Sequence, residues 1–333
     1  MNKKYYGFAP RAIVMFAVAL IAMLAIFAIY QFMRADALTA TFSQAQTELT
    51  DLQNQLQDIQ QQYDSLQSQN AALESHNKEL QQAAATPAAP RDPNQKVAYL
   101  TFDDGPDEEY TPGVLKVLKQ LSVKATFFIA FDRVDTPGKR ALLRQEMAAG
   151  HTLGVHCWSH YYEDCYASEQ AFLDDFNHIK SVIEQETGIT PKINRFPGGT
   201  GNTVSMTVSN SILMPTLKKD VVSMGFKTFD WNAGGEDADP NDPNRPTTAA
   251  AFLKVILNDA GDQNNLVILI HDKYDFSADT VTALVKELRK RGFTFDVLTP
   301  NSPDCIQPIA KPREGLKDAS TLSKTGGTAT PEP

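Results

Sequence analysis

Nineteen consecutive residues, Ala12 to Tyr30, read AIVMFAVALIAMLAIFAIY and carry no charge. This run restricts the fold more than any other feature, because at ~1.5 Å rise per residue it matches the ~30 Å hydrocarbon core of a bilayer. Segment 12–33 is therefore expected to be a transmembrane anchor. Lys3, Lys4 and Arg11 precede it and only Arg34 follows closely, so the positive-inside bias puts residues 1–11 in the cytoplasm and the rest outside the cell. A cleaved signal peptide is the alternative; Ala35-Asp36-Ala37 is a passable cleavage site, and cleavage would make the protein secreted. The apolar region of a signal peptide runs ~7 to 15 residues, however, and this one is longer.

A heptad array follows over residues 36–82. Phe42, Leu49, Leu56, Tyr63, Asn70 and Asn77 occupy position a, and Leu38, Ala45, Leu52, Ile59, Leu66, Leu73 and Leu80 occupy d, with spacing that alternates 3 and 4 without a slip. A sustained 3.5-residue period predicts a coiled coil, and Leu at d with Asn at two a positions favours a parallel two-stranded one. A parallel homodimer is the expectation. The alternatives are a lone helix and a Gln-rich spacer. Residues 83–95 (AAATPAAPRDPNQ) form a semi-rigid Pro/Ala linker. Residues 310–333 lack apolar periodicity and are expected to be disordered.

The segment 96–309 is left as the globular domain. Within it, β-rich runs (96–102, 125–130, 152–155, 193–196, 227–231, 265–271, 293–298) alternate with helical stretches (114–121, 139–149, 169–185, 209–224, 248–259, 278–291). Such alternation predicts α/β architecture with a mostly parallel sheet, open or closed into a barrel, whose reactive residues collect at the carboxyl ends of strands. Lys and Arg number 31 against 40 Asp and Glu, a formal charge of −9, and no basic stripe interrupts the excess, so nucleic acid is excluded as the main partner. Three cysteines are too few for a disulfide framework, though Cys165 and Cys305 are candidates to pair.

Five strand-end clusters carry possible chemistry. Thr101-Phe102-Asp103-Asp104-Gly105-Pro106 places two adjacent carboxylates that can divide labour between a cation and a base. His156-Cys157-Trp158-Ser159-His160 offers two imidazoles four residues apart; with a carboxylate from another strand end they would make a two-His, one-carboxylate metal site. Arg195-Phe196-Pro197-Gly198-Gly199 supplies a guanidinium fork and a bend with exposed N–H groups suited to an oxyanion. Asp230-Trp231-Asn232 ends the fifth strand. His271-Asp272 ends the sixth, where a histidine with a neighbouring Asp is a candidate general acid. Both tryptophans, Trp158 and Trp231, fall in these clusters, as groove-lining aromatics would.

In this order, TFDDGP, HCWSH, RFPGG, DW and LIH resemble the polysaccharide deacetylase family, carbohydrate esterase family 4, over roughly Lys96 to Leu298. The resemblance implies a distorted (β/α) barrel of the NodB type and a metal-dependent N-deacetylase. It implies Asp103 as catalytic base oriented by Arg195, and Asp104, His156 and His160 as ligands of a divalent metal, Zn2+ first, with Co2+, Ni2+ or Fe2+ as alternatives. It further implies His271 as general acid tethered by Asp230, and Pro197, Gly198 and Trp231 as the substrate-binding wall, with the Gly198 N–H on the oxyanion. Two departures stand out. Cys157 replaces the usual Ser or Thr after the first metal histidine, and Gly198 stands where Tyr is frequent. Asp230-Trp231-Asn232 with the downstream Gly235-Glu236-Asp237-Ala238 most resembles members that act on peptidoglycan, so the expected substrate is a cell-wall polysaccharide, N-acetylglucosamine residues foremost. The competing expectation is an inactive deacetylase fold serving as a membrane scaffold or glycan-binding module.

Overall fold

The structure is a computed structural model that describes residues 10–85, 95–311 and 317–318. The charged N-terminus 1–9, most of the expected linker (86–94) and most of the expected tail (312–316 and 319–333) lie outside the described residues.

Two compact units divide after Asn70. The first belongs to a single helix, α1 (Pro10–Ala85). Its stretch Met15–Ala35 is long and apolar enough to cross a membrane. Beyond it, Leu38, Phe42, Leu49, Leu52, Leu56, Ile59 and Tyr63 are all more than half exposed, so nothing among the described residues covers this part of the a/d stripe. The side chains of Leu66, Asn70, Leu73, Asn77 and Leu80, the rest of the expected heptad seam, lie outside the described residues.

The second unit alternates strands and helices: β1 (Val97–Asp103), α2 (Thr111–Leu121), β2 (Thr126–Ala130), α3 (Pro137–Ala148), β3 (Thr152–Cys157), α4 (Tyr162–Cys165), α5 (Glu169–Thr187), β4 (Ile193–Asn194), α6 (Val204–Ser209), β5 (Ser211–Ile212), α7 (Met214–Ser223), β6 (Lys227–Thr228), β7 (Ala233–Gly234), α8 (Ala249–Ala260), β8 (Asn265–His271), α9 (Ser277–Lys290), β9 (Thr294–Phe295) and β10 (Lys317–Asp318). The main sheet runs β6-β4-β3-β2-β1-β8-β7, every pairing is parallel, and β9 adds to β1. Among the described residues β6 and β7 do not pair. The expected barrel is thus a curled, open half-barrel.

Side-chain alternation splits the core in two. On β1, Ala98, Leu100 and Phe102 enter the large cluster beneath the helices, whereas Val97 and Tyr99 join Phe128, Ile193, Phe229, Val267 and Leu298 in a small cluster on the other face. Burial on both faces is what a parallel sheet covered on each side requires, and it explains the unbroken apolar runs of β1 and β8. The strand-end residues inherit this parity. Asp103 shares the face of Tyr99, His271 that of Val267, Arg195 that of Ile193, and His156 lies opposite in parity to Leu153 and Val155 of the large cluster. Register completes the convergence, because Asp103 is aligned with His271 and Val155 with Asn194, so His156 and Arg195 emerge side by side.

Three expectations are corrected here. The helix expected over 209–224 is the shorter α7: Asn210, at φ 51°, follows the end of α6, Ser211–Ile212 is a strand, and Pro215 sits in the first turn of α7, where its missing N–H breaks no helical bond. Cys165 and Cys305 are free thiols, one packed in the large cluster and the other against the small one, on opposite sides of the sheet. Within the expected tail, Lys317–Asp318 pairs with Ser211–Ile212 as a two-stranded ribbon.

Glu146 of α3 is fully buried, and neither carboxylate oxygen has a hydrogen-bond partner among the described residues. Burial, then the charge of Asp272, push its carboxyl well above the ordinary range, so the folded protein keeps a proton there that the unfolded chain releases above ~4.3. Folding stability contributed by this group is therefore present at acid pH and lost as pH rises toward the folded pKa. Glu146→Gln should raise the melting temperature at pH 8 and leave it nearly unchanged at pH 5, as read by thermal denaturation.

Candidate active site

Arg195 is the centre of the constellation and has no exposed surface. Nη1 donates to Asp103 Oδ1 and to Thr101 Oγ1, both at 2.8 Å, Nη2 to the Asp230 carbonyl at 2.9 Å and Nε to the Phe229 carbonyl at 3.1 Å. The guanidinium lies 4.3 Å from the Phe128 ring centroid, so it is held by packing as well as by bonds. Its effect is to fix Asp103 Oδ1 while Oδ2 remains directed toward His156, 3.9 Å from Nε2.

Asp104 follows in the left-handed region at φ 67° and turns toward the two histidines of the β3 end. Its Oδ1 lies 2.9 Å from His160 Nε2 and 3.4 Å from His156 Nε2, yet this buried oxygen has no well-aligned hydrogen-bond partner among the described residues. His156 Nδ1 donates to the Arg195 carbonyl at 2.7 Å, which leaves the Nε2 lone pair facing Asp104. An unpartnered carboxylate oxygen opposite two imidazole nitrogens fits a divalent cation. Cys157 is also near: one ligand atom each from His156, Cys157 and His160 lie within 4.8 Å of one another. Burial, followed by the charge of Asp175, raises that thiol well above its ordinary range, and strand alternation turns it to the helix side, so Asp104 is the better third ligand.

The acid end of the site departs from expectation. Asp230 does not reach His271. Its carboxylate accepts from Thr200 N at 2.9 Å, from Thr200 Oγ1 and from Gln307 N at 2.6 Å, tying down the bend after Arg195 and the closing segment of the domain. The tether is Asp237: its Oδ1 lies 2.8 Å from His271 Nδ1, and its Oδ2 accepts from the His271 backbone N–H at 2.9 Å. Gly234 makes this possible. At φ 78° it sits where a Cβ would lie 2.4 Å from the Leu269 carbonyl, so only glycine lets β7 close on β8 and carry Asp237 to the histidine. Burial alone would lower the pKa of His271; the Asp237 charge and bond, with Asp104 beyond, raise it to about 9. His271 Nε2 then points inward, 3.7 Å from Asp104 Oδ2.

Phe196-Pro197-Gly198-Gly199 forms a turn closed by the Gly199 N–H to the Phe196 carbonyl at 2.8 Å, with Gly198 at φ 72°, the type II geometry that Pro-Gly favours. The Pro197 carbonyl accepts from Tyr166 Oη at 2.8 Å, which fixes the Pro197–Gly198 peptide plane and aims the Gly198 N–H the opposite way. Trp231 is half-buried beside Gly199 and Gly235. Trp158 is not a free platform, because His178 stacks on it at 4.0 Å.

Sequence reasoning missed Asp237, Lys273 and Asp175. Lys273 Nζ donates to Asp104 Oδ2 at 2.5 Å and holds the carboxylate with Oδ1 toward the imidazoles. Asp175 of α5 accepts the Trp158 and Ser159 N–H groups at 2.7 and 2.9 Å and so fixes the loop between the histidines. Asp237 lay in the Gly235-Glu236-Asp237-Ala238 stretch that carried the finer resemblance, without a role; for Lys273 and Asp175 the sequence signal was charge alone.

The curled parallel sheet with its strand-end site has counterparts. A family model described as polysaccharide deacetylase matches residues 90–216. A peptidoglycan-N-acetylglucosamine deacetylase of Bacillus cereus is 34% identical over 203 residues, 61% of this chain and 69% of that protein. A peptidoglycan-N-acetylmuramic acid deacetylase of Bacillus subtilis is 32% identical over 223 residues, 67% of this chain but only 41% of that protein's length. The solved catalytic domain of a peptidoglycan N-acetylglucosamine deacetylase from Eubacterium rectale matches with a TM-score of 0.61 at 36% identity, covering 68% of this chain and 99% of that one. By these likenesses and by its half-barrel, the chain belongs to the polysaccharide deacetylase family.

Proposed function

We propose that the protein is a metal-dependent N-deacetylase of cell-wall glycan, acting on N-acetylglucosamine residues of peptidoglycan from the outer face of the membrane. The observation that carries this reading is the meeting of an unpartnered buried Asp104 oxygen, two imidazole Nε2 atoms, an Arg-held Asp103 and an Asp-held His271 at one end of the sheet. Relatives named for N-acetylglucosamine support the sugar; one named for N-acetylmuramic acid marks the nearest alternative.

Asp104, His156 and His160 would hold the divalent ion, Zn2+ being the best match to this donor set. When bound, it supplies Lewis acidity that polarises the acetamide carbonyl and makes water easier to ionise. The protein's own groups do the rest. Asp103, fixed through Oδ1 by Arg195, accepts a proton from the attacking water on Oδ2. The N–H of Gly198 donates to the oxygen on which negative charge develops. His271 gives its proton to the departing nitrogen as the C–N bond breaks, so acetate and a free amine leave.

Anchoring by residues 12–33 and pairing of the a/d stripe as a parallel homodimer would display this domain outside the membrane on a rod. The uncovered apolar stripe of α1 supports pairing, since seven large apolar side chains in heptad register gain most by facing a second copy. The full chain in detergent should sediment as a dimer, and Ile59→Asp should shift it to monomer.

Purified full-length protein, supplied with Zn2+, should release acetate from peptidoglycan and from N-acetylglucosamine oligomers, and a chelator should stop it reversibly. Failure on every N-acetylated glycan with metal bound would refute the enzyme reading. Asp103→Asn should reduce the rate by about 10²- to 10⁴-fold, the usual contribution of a general base. His271 is proton-loaded below about 9 and loses its proton as pH rises through that value, so the alkaline limb of the rate profile reports it. Asp237→Asn removes the anion that raises this pKa and should move the limb to lower pH, measured as kcat against pH.

A further inference from the structure

The oxyanion turn has an unassigned neighbour. A Cβ built on Gly198 would lie 3.3 Å from Tyr162 Oη, so the space where a side chain at 198 would begin is bordered by that hydroxyl. Tyr162 opens α4, two residues after His160, and its ring centroid lies 5.8 Å from the His160 imidazole. Its ring is held in place. It stacks at 6.1 Å and 12° on Tyr166, whose own hydroxyl donates to the Pro197 carbonyl. The two phenols stand one helical turn apart, yet their ends differ. Tyr166 is fully buried with its hydroxyl engaged. Tyr162 is half-buried, and its hydroxyl has no hydrogen-bond partner among the described residues. The nearby amide is no competitor, because Asn202 Nδ2 donates to the Gly199 carbonyl at 2.7 Å.

A rigid aromatic with an unengaged hydroxyl, set between a metal-ligand candidate and an oxyanion donor, is suited to contact a bound sugar. We propose that Tyr162 is a substrate-contact residue of this site, its hydroxyl bonding to an oxygen of the N-acetyl sugar on the side where position 198 offers no side chain. The inference rests on the deacetylase reading and adds to it a specificity-determining group.

The test compares the full-length protein with Tyr162→Phe and Tyr166→Phe, using N-acetylglucosamine oligomers as substrate and Co2+ titration and thermal melting as separate readouts. Tyr162→Phe should lower kcat/KM about three- to tenfold, the loss of one neutral hydrogen bond, chiefly through KM, with metal affinity and melting temperature unchanged. Tyr166→Phe should lower the melting temperature, because the buried Pro197 carbonyl then keeps only the long bond from Asn202 Nδ2 at 3.4 Å, and should lower kcat as well, since the lost bond aims the Gly198 N–H. An active parent whose kinetics are untouched by Tyr162→Phe would overturn this inference alone. Loss of melting temperature in Tyr162→Phe equal to that in Tyr166→Phe would also overturn it, as the mark of a structural tyrosine. A metal-loaded parent inactive on every N-acetylated glycan would overturn the deacetylase reading and this inference with it.

Discussion

A guanidinium with no exposed surface must be neutralised and bonded where it lies, and Arg195 meets that requirement with one carboxylate, one hydroxyl and two carbonyls drawn from β1 and the segment after β6. Everything else at the strand ends depends on this. The charge of Arg195 makes an ionised Asp103 tolerable at 3% exposure, and the same Asp103 makes Arg195 tolerable at none. Removing either partner leaves an uncompensated buried charge, at a cost of about 3 to 5 kcal/mol. The Arg195 backbone also contributes, since its carbonyl accepts from His156 Nδ1 and so selects the imidazole tautomer that faces Asp104. One residue thus orients Asp103 and the His156 imidazole together.

The site divides its carboxylates by environment. Asp103 is paired with a cation, Asp104 keeps one oxygen on Lys273 and the other toward two imidazoles, and Asp237 is given to His271. Asp230 is consumed by Thr200 and Gln307, which makes it a clamp for the segment after the Phe196–Gly199 turn. Asp103, Asp104 and His271 are thus each given a separate counter-charge.

Much of this was legible in the sequence. The alternation of apolar and polar-capped runs located β1, β3 and β8 to within a residue or two, and strand-end placement picked out Asp103, Asp104, His156, His160, Arg195 and His271, which the structure brings together. What failed depended on tertiary pairing. Asp237 follows a two-residue strand whose existence rests on Gly234 passing close to the Leu269 carbonyl, and no local periodicity announces that. The family resemblance paired Asp230 with His271, but side-chain direction beyond a short strand is set by the turns that follow. The late start of α7 at Met214 was readable, since Pro215 lay in the middle of the expected helix. The cysteine pairing failed because sequence does not say which face of a sheet a thiol takes.

The central claim is that two histidines and Asp104, not Cys157, make a cation site. Titrating chelator-treated full-length protein with Co2+ and following its visible and near-ultraviolet absorption tests this most directly. One ion per chain should bind, with ligand-field bands of nitrogen and oxygen donors that His156→Gln abolishes. Absence of binding, or an intense thiolate-to-cobalt charge-transfer band lost in Cys157→Ser, would contradict it.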